Sequence, residues 1–235
     1  MNKLAKELIK ENSFEFLSKY QKINIRDDKK SYQEIIVTTK NLISTSLEQA
    51  KENLENGNYK GSECAEKIAL LYDKVIKNYY NYLCTNNFFS QNKTDYEKLA
   101  IIATGGYGRG KLSPGSDIDL LFLMPFKKTA WAEKITENLL YFLWDLGLKI
   151  GHASRNINEC IALSAQDQTI TTSLLDARYI CGDKEVNDVF EKKFRKKISK
   201  RSSKEFIDAK LEERENRHNK EGQSRYLVEP NVKNS

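Results

Sequence analysis

The chain has 235 residues, of which 39% are hydrophobic and 31% charged, a balance typical of a folded globular protein rather than a disordered one. It contains only three prolines, which excludes a long proline-rich linker, and it has no apolar run long enough to span a membrane. The net charge of +6 favours an anionic partner such as a nucleotide, but it is too small to predict binding to nucleic acid.

Cysteine and histidine spacing gives no sign of a zinc site. The two histidines, His152 and His218, lie far apart, and no two of the four cysteines form a CxxC pair. The N-terminus also lacks the apolar segment of a secretory signal. Scattered thiols in such a chain predict a reducing, cytoplasmic location and no membrane partner.

The first part of the chain is predicted to be helical. Residues 1–30 form a polar N-terminal arm with only a weak helical rhythm. Apolar residues then recur at three- and four-residue intervals over 31–56 and again over 62–84, which predicts two helices separated by a glycine-containing turn. A polar loop over 85–95 completes a helical segment that spans 31–95.

Residues 96–183 have a different character and form the predicted core. The short apolar runs "KLAIIATGG" and "SDIDLLFLMP" predict two buried strands. A helix is predicted over 129–147, with Gly147 as its C-terminal cap. A third strand is predicted over 148–155.

Beyond the third strand the pattern predicts helices alone. Two run over 158–166 and 168–182, and a charged helix from about 184 to 220 begins a C-terminal segment, 184–235, that ends in an extended tail. The order strand, strand, helix, strand, helices predicts an α+β fold. In this fold a small mixed sheet carries helices on one face and is preceded and followed by helical segments.

Two aspartates open the second predicted strand. Because the side chains of a strand alternate between its faces, Asp117 and Asp119 share one face, with Cα atoms about 7 Å apart. Carboxylates at this spacing suit the oxygen ligands of Mg²⁺, and a divalent cation would offset the repulsion between them. For an isolated D-x-D pair, however, a merely solvated strand end is the more common explanation.

A glycine pair precedes the aspartates. Gly105 and Gly106 directly follow the first predicted strand, where glycine lets backbone N–H groups approach a phosphate closely. Ser116 could donate its hydroxyl to a phosphate oxygen, and Arg109 and Lys111 could contribute positive charge. Taken alone, the glycines are explained more simply by a tight hairpin turn, and their spacing fits neither a Walker loop nor a dinucleotide-binding fingerprint.

The glycine pair and the aspartate pair are more specific together than apart. A double glycine after one strand, ten intervening residues and D-x-D at the start of the next strand place phosphate donors beside a metal-binding pair. Such an arrangement suits nucleotidyl transfer, because the catalysis of that reaction is mostly positioning and charge neutralisation. The pattern resembles the signature of the nucleotidyltransferase superfamily related to DNA polymerase β, which is hG[GS], a spacer and [DE]h[DE]h.

A closer resemblance covers about residues 31–233. The stretches "GGYGRGKLSPGSDIDLLFL", "LWDLGLKIGHASRN", "LLDARYICGD" and "RYLVEPNVK" are similar, in order and spacing, to the N-terminal domain of the bacterial PII uridylyltransferase/uridylyl-removing enzyme family. The resemblance implies Mg²⁺-dependent transfer of UMP from UTP to a tyrosine of the PII nitrogen-regulatory protein, with release of pyrophosphate.

The same resemblance implies roles for individual residues. Asp117 and Asp119 would be the catalytic residues and the metal ligands. The residues implied to bind the nucleotide are Gly105, Gly106, Arg109 and Ser116.

Two departures from the family bear on activity. Members continue after the "EPN.K" stretch with an HD domain for uridylyl removal and two ACT domains that sense glutamine, so neither property is expected of this chain, which ends at Ser235. Many members of the superfamily also use a third carboxylate on a later strand, and the third predicted strand offers none. Asp167 and Asp176 on the following helices are candidates, with a structural role favoured for Asp176, and His152 is a candidate neighbour of the site.

Two alternative functions stay open. The chain could be a truncated, non-catalytic remnant that keeps the fold and binds UTP or PII without transferring UMP. It could also be a transferase that acts on a nucleic-acid end or a small molecule, because the core motif is shared across the superfamily.

Overall fold

The structure, a computed structural model, describes residues 11–20, 28–85 and 96–199, together with residues 207, 211, 214 and 215. Most of the loop expected over 85–95 and the whole of the expected tail lie outside the described residues. In chain order, the elements are a 3₁₀ helix Glu11–Tyr20, α1 Lys29–Glu55, α2 Gly61–Thr85, β1 Ala100–Ala103, α3 Gly105–Gly108, β2 Ile118–Met124, α4 Ala130–Asp145, β3 Ile150–Asn156, α5 Ile157–Gln166, α6 Gln168–Leu175, β4 Arg178–Gly182 and α7 Lys184–Ile198.

The described strands form one four-stranded sheet in the order β3-β2-β1-β4. Strand β1 runs antiparallel to both β2 and β4, while β2 and β3 are parallel. Parallel neighbours need a crossover connection, and α4 supplies it between β2 and β3. The mixed sheet with its helices confirms the predicted α+β fold.

One predicted helix is partly a strand. The sequence pattern predicts a helix over 168–182, but α6 ends at Leu175 and Arg178–Gly182 forms β4 instead. Pairing with β1 causes the difference, because Arg178 lies opposite Ala103 and Cys181 lies opposite Ile101 in the ladder. A partner more than seventy residues away in the sequence cannot be read from local periodicity, and β propensity depends strongly on such context.

Helices cover both faces of the sheet, so the prediction of helices on one face is wrong. On the α2 face, Ile101 and Phe122 are buried against α1, α2 and α4. On the α6 face, Ile102 and Leu121 are buried against α5, α6 and α7. Strands β1 and β2 are almost continuously apolar, and such strands must be covered on both sides.

Local signals fix the ends of the helices around the site. Helix α4 begins where the Thr129 hydroxyl accepts a hydrogen bond from the Ala132 N–H, at 3.2 Å. It ends before Gly147, whose φ of +83° confirms the predicted C-terminal cap. A reciprocal pair of hydrogen bonds between Asn156 and Glu159 forms a capping box that starts α5 directly after β3.

The helical segment before the sheet belongs to the same hydrophobic core as the α2 face. Tyr79 of α2 stacks on Phe142 of α4, with ring centroids 3.6 Å apart and planes 5° from parallel. Phe14 and Leu17 of the 3₁₀ helix are buried in this core as well. In the part of the chain that the structure describes, no helix is both long and apolar enough to cross a membrane.

Two neighbouring leucines of α2 allow a matched test of this packing. Leu71 is 1% exposed and Leu70 is 55% exposed. We expect Leu71→Ala to lower the free energy of unfolding by about 2–5 kcal/mol, because it leaves a cavity in the core. Leu70→Ala should change it by less than about 0.5 kcal/mol. Urea unfolding followed by circular dichroism measures both, and equal losses would contradict the packing described for α2.

Candidate active site

A glycine turn connects β1 to the helical turn α3 and contacts the second strand. The Thr104 N–H donates to the Asp119 carbonyl oxygen at 3.0 Å, which fixes the start of the turn beside β2. Gly105 has a φ of +56°, in the left-handed region, and a Cβ added to it would lie 2.9 Å from the Asp119 Oδ2 atom. Glycine is therefore required here for both conformation and space.

A second glycine confines the same carboxylate from the other side. In the parallel register Asp119 lies opposite Gly151 of β3. A Cβ added to Gly151 would approach the Asp119 Oδ1 atom to 2.3 Å, much closer than any real contact. The Asp119 carboxylate thus occupies a space that exists because neither Gly105 nor Gly151 has a side chain.

The other predicted metal ligand lies just outside the strand. Asp117 is exposed and precedes β2, which begins at Ile118, one residue after the aspartate that the sequence places at its start. Ile118 between the two aspartates is 1% exposed and belongs to the core of the α2 face. Asp119 is on the opposite side of β2, where α6 lies.

A cleft of about 420 Å³ opens on the α6 face next to Asp119. It lies between β2 and β3 on one side and α6 on the other. The residues that line it include Gly105, Asp119, Gly151, His152, Arg155, Thr169 and Ser173. Of the six predicted site residues, the structure therefore brings Gly105 and Asp119 together in this cleft, while the other four are not among the residues that line it.

Arg109 is engaged in an ion pair next to the glycine turn. Its Nη1 atom is 2.9 Å from the Asp176 Oδ2 atom, and the Arg109 side chain is 62% exposed. A Cβ added to Gly106 would lie 3.5 Å from the Arg109 Nη2 atom, so the guanidinium lies over this glycine. Ser116 closes a turn through its N–H, which donates to the Ser113 carbonyl oxygen at 3.1 Å.

The candidate third carboxylates have structural partners. Asp176 pairs with Arg109, and Asp167 caps α6 by accepting the Thr169 N–H at 2.7 Å. His152 lines the cleft, but its ring packs edge-on against Trp144 of α4. Across the described ranges, no three histidine, cysteine, aspartate or glutamate side chains converge on a possible metal position.

A partly buried polar network lies behind the glycine turn, and the sequence does not predict it. The Tyr107 hydroxyl donates to the Asp73 Oδ1 atom of α2 at 2.5 Å, and Arg178 of β4 donates to both carboxylate oxygens of Asp73. Tyr107 is 0% exposed, and burial, followed by the charge of Asp73, raises its pKa well above the usual value. Tyr107 therefore stays a hydrogen-bond donor and ties the turn to α2 and β4.

Close backbone packing holds the other end of the turn. A Cβ added to Gly108 would lie 2.1 Å from the Asp176 carbonyl oxygen, so the end of α6 rests directly on the backbone of α3. The sequence gives only part of the signal for this network. Asp73 stands among the apolar residues Leu71, Tyr72 and Val75 of α2, whereas Arg178 falls in a segment whose local pattern predicts a helix. Only the fold shows that these two charges meet.

The sequence model of the nucleotidyltransferase domain family matches residues 86–177, a range that includes the glycine turn and Asp119. A second family model, described as GlnD PII-uridylyltransferase, matches residues 205–235. The chain is also 50% identical over 184 residues to the bifunctional uridylyltransferase/uridylyl-removing enzyme of Phenylobacterium zucineum (strain HLK1). The chain therefore contains a nucleotidyltransferase domain and is similar to the bacterial uridylyltransferases.

The similarity covers 78% of this chain but only 20% of the Phenylobacterium protein. The chain thus spans about a fifth of the length of that relative.

The space around Asp119 can be tested with an added methyl group. We expect Gly151→Ala to displace the carboxylate and to reduce nucleotidyl transfer by about 100-fold, the usual effect of a misplacement of about 1 Å. Gly61→Ala is the matched control, because a Cβ there meets nothing within 4 Å. Transfer rates of both variants are compared with the wild type. A Gly151→Ala protein with an unchanged rate would refute the confinement of Asp119.

The network can be tested by removing one hydroxyl. We expect Tyr107→Phe to lower the free energy of unfolding by about 1.5–3 kcal/mol, because it breaks a hydrogen bond to a charged, largely buried carboxylate. Tyr141→Phe, in which the parent side chain is 57% exposed, should have an effect below about 0.5 kcal/mol. Urea unfolding measures both. Similar free energies of unfolding for the two variants would show that the hydrogen bond from Tyr107 to Asp73 does not stabilise the protein.

Proposed function

We propose that the chain is an Mg²⁺-dependent nucleotidyltransferase that transfers UMP from UTP to a tyrosine of a PII regulatory protein and releases pyrophosphate. The observation that carries this proposal is the contact of the Gly105 turn with the Asp119 carboxylate beside an open cleft. That contact supports the proposal, because it brings the glycine backbone proposed to bind phosphate next to the carboxylate proposed to bind the metal.

Asp117 and Asp119 are the residues proposed to hold Mg²⁺. The donor set fits, because Mg²⁺ prefers carboxylate oxygens and usually keeps several waters instead of a full set of protein ligands. The space around Asp119 is kept free of side chains by Gly105 and Gly151. When bound, the cation would neutralise phosphate charge and polarise the phosphoryl group that is transferred.

The backbone of the turn is proposed to receive the phosphates. Gly105 and Gly106 begin the helical turn α3 just after β1, and the first N–H groups of a helical turn have no partner within the helix. The resemblance to the family adds Ser116 and Arg109 as nucleotide contacts. Tyr107 and Gly108 support this turn from behind, through Asp73 and the end of α6. The turn is therefore held in place before the nucleotide arrives, which is what positioning catalysis needs.

The proposed reaction is a single displacement at the α-phosphorus of UTP. The acceptor tyrosine gives up its hydroxyl proton, and its oxygen forms a bond to the α-phosphorus. The bond between that phosphorus and the bridging oxygen breaks, and pyrophosphate leaves. The products are uridylylated tyrosine and pyrophosphate, so the atoms balance without a further reactant.

The choice of UTP and of PII rests on the relatives. The matching family is described as a PII-uridylyltransferase, and the Phenylobacterium relative is named as a uridylyltransferase. Because the chain spans only a fifth of that relative, the uridylyl-removing half of the name is not carried over. A cytoplasmic location, and no nucleic acid or membrane as partner, complete the proposal.

The full chain, PII, labelled UTP and Mg²⁺ together test this function. Label on PII is the expected result, and it should disappear when EDTA is added and return with excess Mg²⁺. Bound UTP without label on PII would identify a non-catalytic remnant instead. Label on tRNA or an aminoglycoside, but not on PII, would identify a different acceptor class.

Charge removal at the two aspartates tests the metal ligands. We expect Asp117→Asn and Asp119→Asn each to reduce transfer by at least about 100-fold, the order found when one electrostatic group is removed from a catalytic site. Amide and carboxylate have nearly the same size, so the free energy of unfolding should change little. Transfer is measured with labelled UTP, and folding with urea.

Asp188→Asn is the matched control for this pair. Asp188 is an exposed residue of α7 that pairs with Lys184 one turn away, and it should leave the transfer rate unchanged. Wild-type turnover in either the Asp117 or the Asp119 variant would remove that residue from the metal site.

A further inference from the structure

The cleft beside Asp119 contains a positive charge that the sequence analysis does not assign. Among the described residues that line it, Asp119 and Arg155 are the ones with a formal charge. Arg155 is half-buried near the end of β3, while Asp119 lies near the start of β2. The cleft therefore has a carboxylate at one end and a guanidinium at the other.

The sheet register places Arg155 on the same face as Asp119. Gly151 lies opposite Asp119, and Arg155 lies opposite Leu123, so both cross-strand pairs belong to the α6 face. Burial on this face raises the pKa of the Cys160 thiol to about 12, and the positive charge of Arg155 opposes that rise. The guanidinium therefore lies on the same face of the sheet as the cleft.

Arg155 also differs from the other two arginines near the site. Arg109 is paired with Asp176, and Arg178 with Asp73. No such ion pair joins Arg155 to a carboxylate within the described ranges. Its neighbour Glu159 is engaged by the Asn156 N–H in the capping box of α5. Among the described residues that line the cleft, Arg155 is therefore the one that offers a cation to a ligand.

The size of the cleft suits a polyphosphate between the two charges. Arg155 is four positions after Gly151 in β3, so their Cα atoms lie about 13 Å apart along the strand. The intervening wall offers hydroxyl groups from Thr169 and Ser173 of α6. A triphosphate carries more negative charge than one divalent cation neutralises, and a planar guanidinium can bind two phosphate oxygens at once.

We propose that Arg155 binds the phosphate oxygens of the nucleoside triphosphate that extend away from Asp119, and so selects triphosphates over monophosphates. This inference rests on the proposed function, since it takes a nucleoside triphosphate as the ligand. It assigns to Arg155 the phosphate contact for which Arg109, held by Asp176, is less well placed.

Binding of a non-reacting nucleotide separates this role from catalysis. The full chain is titrated calorimetrically with the α,β-methylene analogue of UTP and with UMP, both in Mg²⁺. We expect Arg155→Gln to weaken binding of the triphosphate analogue by about 10- to 100-fold, as expected for loss of a charge-assisted hydrogen bond, and to leave UMP binding nearly unchanged. The affinity of Arg155→Lys for the analogue should lie between those of the wild type and Arg155→Gln, because lysine keeps the charge but loses the bidentate geometry.

Arg195→Gln serves as the matched control. It makes the same change on α7, at a side chain that is 82% exposed and paired with Glu191. Thermal unfolding checks that the Arg155→Gln protein is folded. In that folded variant, an equal loss of affinity for UMP and for the triphosphate analogue, or no loss of affinity for either, would overturn the inference. If the wild-type protein binds the analogue but transfers no label from UTP to PII, the proposed function is refuted and the inference about Arg155 is not.

Discussion

The feature on which the site depends is a small volume kept free of side chains. The Asp119 carboxylate lies where a Cβ of Gly105 would come within 2.9 Å and a Cβ of Gly151 within 2.3 Å. The strand β2 can therefore be central in the sheet and still present a carboxylate next to a backbone turn. Without both glycines, packing of β1 and β3 against β2 would force the carboxylate out of the cleft.

The surroundings of that volume are rigid for independent reasons. Apolar strands covered by helices on both faces fix the relative positions of β1, β2 and β3. The network of Asp73, Tyr107 and Arg178 then joins the turn to one helix of the α2 face and to the far strand. A charged network of this kind is favourable only when its members are paired, so it also specifies one arrangement of these elements. The helical segment before the sheet thus contributes to the site as well as to the core.

Sequence patterns correctly predict the helices and strands that are determined by residues close together in the chain. Both long helices, the cap at Gly147 and the first three strands follow from periodicity and from turn residues within a few positions. The strand β4 does not, because its partner β1 is distant in sequence and its residues also fit a helix end. At the site, the pair Gly105 and Asp119 is visible in the sequence, since the motif holds both. Gly151 and Arg155 are not, because their importance comes only from the parallel register that sets β3 beside β2.

The large sequence separation between Arg178 and Asp73 means that the site forms late in folding. The two residues are 105 positions apart, and the ladder between β1 and β4 closes a loop that joins Ala100 to Gly182. Contacts of such high sequence separation form slowly, since the chain must first lose the entropy of closing the loop. During synthesis on the ribosome, α1 and α2 can form early, but the glycine turn gains its full support only after β4 has emerged. A nascent chain that ends before β4 contains the whole signature motif but has not yet formed the site.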